Sequence, residues 1–312
     1  SLHHTKGRNR RSREIYPISY RELYVEDIED ISPSVRRITL SGEQLQEHEH
    51  DGISVPSLIS HGFDDDVRLI FPDPETGERP HPIAQKDGNL LWPEAVKNLF
   101  RTYTVRYFDA VNGRLAIDFA RHGEGLAENW SQNVRIGDAI FVAGPKSCAQ
   151  LPTHTDWLFL AGDETALPAI GRCLESLPSG HDAIAVIEVP TSADIQDLDI
   201  PDSVHVHWAI RDQGDDFVAK TSVLFEETAD SQLPTGEAYV WAAGEASRLK
   251  TLRRLFKASG ISPEHREITG YWRRTSQSDA KESASSSSNS VLHNIHDLAE
   301  LIQPLRSALP CV

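Results

Sequence analysis

The sequence predicts two domains, an antiparallel β-barrel followed by an α/β domain with a parallel sheet. The chain has 312 residues, and a domain typically takes up roughly 150 residues. Its first half carries short segments rich in β-branched and aromatic residues, which are typical of β-strands. After Pro152 strand patterns alternate with helix patterns, and this alternation indicates parallel strands joined by helices.

The predicted barrel covers residues 15–150. Alternation is clearest near its end, where Leu115, Ile117 and Phe119 would face the core and their neighbours the other side. A long loop at residues 72–100 interrupts the strands and is of a length that is usually functional or mobile. The strand segments, which predict a six-stranded antiparallel barrel, are residues 21–28, 35–40, 67–71, 103–108, 115–120 and 139–143.

The predicted α/β domain covers residues 151–274. Gly162 and Gly244 each follow a buried strand and precede a helix, as in nucleotide-binding folds. Gly260 ends the last of these helices. The predicted strands are residues 157–161, 183–189, 204–210, 239–243 and 268–272, and the predicted helices are residues 165–177 and 245–259.

Both ends of the chain differ from the two domains in composition. Residues 1–14 are basic and predict a solvated tail. Residues 275–290 are rich in Ser and predict a flexible linker. Residues 291–312 carry apolar side chains at helical spacing and predict a C-terminal amphipathic helix. That helix either packs back on the body of the protein or docks as a lid.

Composition excludes several classes of protein. The net charge of −16 repels nucleic acid. Three cysteines with no CxxC pair disfavour a disulfide framework, a zinc site and an iron–sulfur cluster. No stretch approaches the ~20 apolar residues of a membrane span, and no signal peptide is recognisable. We therefore expect a cytoplasmic protein that binds neither nucleic acid nor a resident metal. We also expect it to be a monomer.

The first motif is RTYTVR at residues 101–106, on a predicted barrel strand. Arg101 can pair with a pyrophosphate, Tyr103 can lie on a flavin ring and Thr104 can donate a hydrogen bond near it. The alternative is an ordinary strand with charged residues facing solvent and a tyrosine in the core.

Two further motifs lie at turns that lead into helices. DFARHGEG at residues 118–125 precedes a predicted helix at 126–133, so a phosphate can approach the N–H groups at the start of that helix. LAGDETALPA at residues 160–169 is a strand–turn–helix of the nucleotide-binding kind, but it lacks GxGxxG. Asp163 and Glu164 would repel a pyrophosphate lying directly over this turn. Each motif has an alternative as a purely structural turn.

Taken together and in order, these motifs identify a family. With GDAIFVAGP at 137–145, AGDETALPAIGR at 161–172, WAAGE at 241–245 and GYWRR at 270–274, the chain resembles the siderophore-interacting proteins over residues 18–274. That family consists of flavoprotein ferric-siderophore reductases of the ferredoxin reductase-like superfamily. The chain departs from the family at Gly125-Leu126-Ala127, where Gly-Pro-Ala is usual.

The resemblance implies an FAD cofactor, NADPH or NADH as electron donor, and iron bound only through its siderophore, with no obligatory catalytic side chain. It assigns FAD to Arg101, Tyr103, Thr104, Val105, Asp118, Phe119, His122, Gly125 and Ala127. It assigns the nicotinamide donor to Asp163, Glu164, Thr165, Ala243, Gly244, Glu245, Arg211 and Trp272. It assigns the siderophore to Arg266, Arg273 and Arg274.

The sequence leaves the donor and the reaction open. Glu188 ends a predicted strand, where an acidic residue favours a free ribose hydroxyl and so NADH. Arg211, Arg248 or Lys250 can instead hold a 2′-phosphate, and a reduced ferredoxin is a third possible donor. The alternatives to a reductase of ferric siderophores are a siderophore-binding protein without turnover and a flavin reductase component that serves another electron acceptor.

Overall fold

The computed structural model describes residues 11–121, 124–226 and 233–273. These residues form two compact units, one of residues 13–149 and the other of residues 11–12 with 150–273. The predicted linker and C-terminal helix lie outside the described residues, as do most of the basic tail and the candidate site residues His122 and Arg274.

The first unit is built on one antiparallel sheet of seven strands, in the order β10-β11-β3-β2-β12-β6-β9. Its strands are β1 (Arg13–Ile15), β2 (Tyr20–Ser32), β3 (Val35–Ser41), β4 (His48–His50), β5 (Ile53–Val55), β6 (Asp66–Ile70), β7 (Ile83–Ala84), β8 (Leu90–Leu91), β9 (Phe100–Thr104), β10 (Tyr107–Asp109), β11 (Arg114–Ala120), β12 (Ala139–Ala143) and β13 (Ser147–Ala149). Its helices are α1 (Glu94–Lys97) and α2 (Leu126–Asn133).

The sheet has seven strands because one predicted strand is two. Residues 103–108 were predicted as a single strand, but β9 ends at Thr104 and β10 begins at Tyr107. Between them the Val105 N–H donates to Asp65 O at 2.8 Å and the Arg106 N–H donates to Ala116 O at 2.9 Å. Because β9 and β10 are the two edges of the sheet, this bend joins the edges and closes the sheet on itself.

The ends of the first unit also depart from the sequence prediction. β1 pairs with β13, so the predicted solvated tail of residues 1–14 includes the first residues of a strand. The predicted loop at residues 72–100 contains α1 and the small β7–β8 hairpin. The main core holds Leu115, Ile117 and Phe119 together, as their alternation on β11 predicted.

The second unit is a five-stranded parallel sheet in the order β16-β15-β14-β17-β18. Its strands are β14 (Trp157–Gly162), β15 (Ala183–Val189), β16 (Val204–Ile210), β17 (Ala238–Glu245) and β18 (Arg266–Trp272). Its helices are α3 (Leu167–Ser176), α4 (Phe217–Glu226) and α5 (Leu249–Ala258). The helix α4 was not predicted, and α3 and α5 begin two and four residues later than the sequence indicated.

The strand order places a crevice at the carboxyl ends of β14 and β17. The chain moves outward through β15 and β16 on one side of β14, then returns to β17 and β18 on the other. In open α/β sheets a ligand binds where the order reverses in this way. Gly162 ends β14 at this point, and a Cβ there would lie 2.5 Å from Ala243 O. Only glycine allows the two strand ends to approach so closely.

No helix in the described part of the chain combines the length and the apolar content that a membrane span needs.

Candidate functional site

Arg101 and Tyr103 of the RTYTVR motif at residues 101–106 lie in different environments on β9. Arg101 is half-buried, and its Nη1 donates to Phe100 O at 2.8 Å. Tyr103 is buried and its ring centroid lies 4.7 Å from that of Phe119 on β11. Phe119 in turn packs against Trp130 of α2 at 5.7 Å. β9, β11 and α2 therefore meet around Phe119.

Several predicted FAD ligands are core residues of this unit. Val105, Phe119 and Ala127 are at most 1% exposed. The Asp118 carboxylate receives two hydrogen bonds from the Arg37 guanidinium, at 2.7 and 3.0 Å. These side chains are part of the core of this unit, and their contact with FAD stays a prediction.

The start of α2 is a suitable partner for a phosphate group. Gly125 precedes the helix, and because it has no side chain, no side-chain hydrogen bond from this residue caps the helix start. The first N–H groups of a helix have no acceptor within it, and they favour an anion. The Arg101 guanidinium and the half-buried Thr104 hydroxyl are hydrogen-bond donors of the kind that a pyrophosphate and a flavin ring accept from, and their contact with FAD stays a prediction.

In the second unit, Asp163 lies directly after β14, at the crevice where the strand order reverses. Its carboxylate is fully buried and accepts from the Thr165 N–H at 3.0 Å, from the Thr165 hydroxyl, from the Glu245 N–H at 3.1 Å and from Trp272 Nε1 at 2.9 Å. Burial raises the pKa of Asp163, and the hydrogen bonds from Thr165 and Trp272 oppose that rise. One carboxylate thus joins the ends of β14, β17 and β18.

The end of β17 is shaped to fit this carboxylate. A Cβ on Gly244 would lie 2.8 Å from Asp163 Oδ2, so glycine is needed for the approach. Ala243 beside it is fully buried on β17. The Glu245 carboxylate accepts from the Ser247 hydroxyl and from the Arg248 N–H at 3.0 Å, in the turn that precedes α5.

Glu188 at the end of β15 holds two arginines. Its carboxylate accepts from Arg211 Nε and Nη2 at 3.1 and 2.9 Å, and from Arg248 Nη1 and Nη2 at 3.1 and 2.6 Å. It also accepts from the Phe217 N–H at 3.2 Å. Five donors occupy its acceptor sites, so the structure disfavours the interpretation of Glu188 as a ribose ligand that selects NADH.

Arg211 is shared between Glu188 and Glu164. Its Nη2 also donates to Glu164 Oε2. The other oxygen, Glu164 Oε1, is buried and has no hydrogen-bond partner among the described residues. Burial and the neighbouring Asp163 raise the pKa of Glu164 to about 7, while Arg211 opposes that rise.

Asp216 is a member of this cluster that sequence reasoning missed. It accepts from Arg248 Nη2 at 2.7 Å, and the Arg248 guanidinium lies over the Phe217 ring at 4.4 Å. Asp216 immediately precedes α4 and accepts from the Ala219 N–H at 2.9 Å. An Asp before a helix is a helix-start signal, so the sequence signalled its place at the helix start but not its pairing with Arg248. Lys250, a candidate 2′-phosphate ligand, is exposed on α5.

The structure separates the predicted siderophore residues. Arg273 is exposed directly after the end of β18, at the same edge of the sheet as Asp163. Arg266 begins β18, and its Nη1 donates to Ile261 O at 3.1 Å. A strand of seven residues spans roughly 20 Å, so Arg266 lies at the opposite edge of the sheet and is not part of this cluster.

Comparison with known proteins covers both units. Residues 24–149 match the siderophore-interacting FAD-binding domain, and residues 155–275 match the siderophore-interacting protein domain. The chain is 31% identical to the NADPH-dependent ferric-chelate reductase of Escherichia coli, over 82% of this chain and 93% of that protein. It is 29% identical to the ferric vibriobactin reductase of Vibrio cholerae, over 80% of this chain and 88% of that protein.

A solved structure supports the same relationship. The siderophore utilization protein from T. fusca superposes with a TM-score of 0.72 and is 36% identical, covering 85% of this chain and 96% of that one.

Proposed function

The chain belongs to the siderophore-interacting protein family, and we propose on that basis that it is an FAD-dependent reductase of ferric siderophores with NADPH as electron donor. One structural observation supports the proposal independently of family membership. The crevice between the ends of β14 and β17 gathers Asp163, Glu245 and Trp272, at the point where a sheet of this strand order binds a nucleotide.

The first unit has the residues to hold FAD. Arg101 and the uncapped start of α2 provide positive charge and N–H donors for the pyrophosphate. The chemistry that FAD supplies when bound is the exchange of a two-electron hydride for single electrons. The protein has only to bind and orient the reactants, because no side chain needs to give or take a proton.

The electron balance defines the reaction. One NADPH gives up two electrons and becomes NADP⁺, two Fe(III) complexes each accept one electron, and one proton is released. Fe(II) binds hard oxygen ligands less tightly than Fe(III), so reduction promotes iron release. Release of iron for use inside the cell makes a cytoplasmic location part of the same proposal.

Recruitment of the iron complex requires positive charge, since the protein carries a net charge of −16 and many ferric siderophores are anionic. Arg273 is exposed at the nucleotide edge of the sheet and, with its neighbour Arg274, is proposed to attract the complex. An exposed charge of this kind contributes on the order of 1 kcal/mol or less and is weakened by salt.

The test of the proposed function is a comparison of donors. The purified full-length protein is expected to be yellow, with one non-covalent FAD per chain and absorbance at about 450 nm. Anaerobic mixing with NADPH, NADH and reduced ferredoxin in parallel should bleach that band fastest with NADPH. A protein without flavin would support a binding role without turnover, and bleaching by ferredoxin alone would contradict the assigned donor.

A further inference from the structure

Two guanidiniums, those of Arg211 and Arg248, lie at the edge of the second unit's sheet. Only that of Arg211 has a terminal nitrogen available to an added phosphate. Arg248 has both terminal nitrogens engaged by Glu188 and Asp216. Arg211 uses Nε and Nη2 for Glu188 and Glu164, and its Nη1 has no hydrogen-bond partner among the described residues. The Arg211 side chain is also 35% exposed, against 23% for Arg248.

Arg211 is in a suitable position for the distinguishing group of NADPH. It follows the last residue of β16, whose neighbour in the sheet is β15. In folds of this kind the adenosine ribose lies near the end of the second strand, and a nearby arginine accommodates the 2′-phosphate. Glu188, at the end of β15, anchors Arg211 there by two hydrogen bonds.

The surrounding charges oppose a phosphate unless one of them is removed. Arg211 and Arg248 face three carboxylates, those of Glu164, Glu188 and Asp216. The ionised cluster is therefore negative overall. Two more acidic residues lie nearby in the sequence, Asp163 next to Glu164 and Glu245 three residues before Arg248. A phosphate dianion gains little from such a cluster.

We infer that Arg211 binds the 2′-phosphate of NADPH and that the Glu164 carboxylate competes with this phosphate for Arg211. Uptake of a proton by Glu164 then releases the guanidinium and increases the preference for NADPH over NADH. The inference rests on the proposed function, because it assumes that the crevice binds a nicotinamide nucleotide.

Two features of Glu164 make it the competitor rather than Glu188. Glu188 is 2% exposed and bonded to two arginines and a backbone N–H, so it is fixed in place. Glu164 has one contact to Arg211 and one buried oxygen without a partner. Burial beside Asp163 raises the pKa of Glu164 to about 7, which places the exchange near neutral pH.

The test measures binding of nucleotide fragments, which does not depend on the flavin. Titration calorimetry gives the dissociation constants of 2′,5′-ADP and 5′-ADP for the full-length protein at pH 6.5 and pH 8. In the unsubstituted protein the preference for 2′,5′-ADP should increase at the lower pH. Titration of the ligand itself acts in the opposite direction, since a phosphate monoester with a pKa near 6 loses charge as the pH falls.

Substitution identifies the residues responsible. Glu164→Gln should tighten 2′,5′-ADP binding by about tenfold at pH 8, abolish the increase at pH 6.5 and leave 5′-ADP binding unchanged. Arg211→Lys should remove most of the preference, because an ammonium lacks the guanidinium fork. Glu237→Gln, an exposed site before β17, is the matched control and should behave as the unsubstituted protein.

The outcomes separate this inference from the proposed function. If Glu164→Gln leaves the ratio of the two dissociation constants unchanged at both pH values, the competition is wrong. If Arg211→Lys keeps the full preference, the phosphate is bound elsewhere. Failure of both nucleotides to bind the unsubstituted protein would instead contradict the nucleotide-binding role of the whole crevice. Should Glu164→Gln fail to fold, the pH series on the unsubstituted protein still decides the question.

Discussion

The indole Nε1 of Trp272 donates to Asp163 Oδ2 at 2.9 Å, and so ties the last strand of the parallel sheet to the turn after the first. Asp163 is fully buried, and a buried carboxylate depends on its donors. The carboxylate is thereby kept in one orientation at the point where the nucleotide is proposed to bind.

We expect Trp272→Phe to weaken the use of NADPH without loss of FAD. A hydrogen bond to a charged group contributes about 1.5–3 kcal/mol, so KM for NADPH should rise by roughly tenfold or more. Steady-state kinetics and the ratio of flavin to protein absorbance measure the two effects. Trp208→Phe, on β16, is the control and should change neither quantity. A variant that loses flavin in parallel with KM would show that Trp272 acts on the overall fold.

Arg101→Ala should lower the affinity for FAD. The substitution removes the guanidinium that is proposed to pair with the pyrophosphate, and a charged hydrogen bond of about 1.5–3 kcal/mol corresponds to a loss of roughly tenfold to a hundredfold. Flavin retained after dialysis is the measurement. Arg114→Ala removes a half-exposed arginine of the same sheet that pairs with Glu26, and it should retain normal occupancy. Equal occupancy in the two variants would refute the assignment of Arg101.

Glu188→Gln should destabilise the second unit. The substitution leaves Arg211 and Arg248 without the carboxylate that joins them, and removal of one partner from a buried ion pair costs about 3–5 kcal/mol. Chemical denaturation followed by circular dichroism gives the change in the free energy of unfolding. A change below about 1 kcal/mol would place this cluster among the weak surface pairs.

The raised pKa of Glu164 gives the stability a specific dependence on pH. Its folded value is about 7 and its ordinary value is 4.5. Between these values the folded chain holds a proton that the unfolded chain releases, so the free energy of unfolding falls as the pH rises from 4.5 to 7. The contribution is about 3 kcal/mol. Glu164→Gln should lack this component when the two proteins are unfolded at pH 5 and pH 8; parallel profiles would contradict it.

The sequence predicted those parts of the fold that local pattern determines. The bounds of β12, β15, β16 and α2 agree with the prediction, because apolar runs or periodicity and turn residues mark their ends. The break between β9 and β10 could not be predicted, since the whole segment has β-forming residues. Its cause is two hydrogen bonds, to Asp65 and Ala116, that only the tertiary structure reveals.

In the candidate site, too, the sequence predicted the features set by local pattern and not those set by tertiary contacts. The turn at Asp163 and the end of the strand at Gly244 were recognisable because strand, glycine and helix follow one another locally, although β17 continues to Glu245, two residues beyond its predicted end. The role of Glu188 was not, because its partners Arg211 and Arg248 lie 23 and 60 residues away in the sequence. A lone acidic residue at a strand end has the same local pattern whether it binds a ribose or holds two arginines.

The decisive measurement is the formation of Fe(II) from a ferric siderophore by the purified protein. Under anaerobic conditions, with NADPH as the sole reductant and a chromogenic chelator to trap Fe(II), we expect two Fe(II) per NADPH consumed and no reaction without bound FAD. Oxidation of NADPH without formation of Fe(II), or reduction of free flavin or another acceptor in preference to every ferric siderophore tested, would contradict the proposed reductase activity.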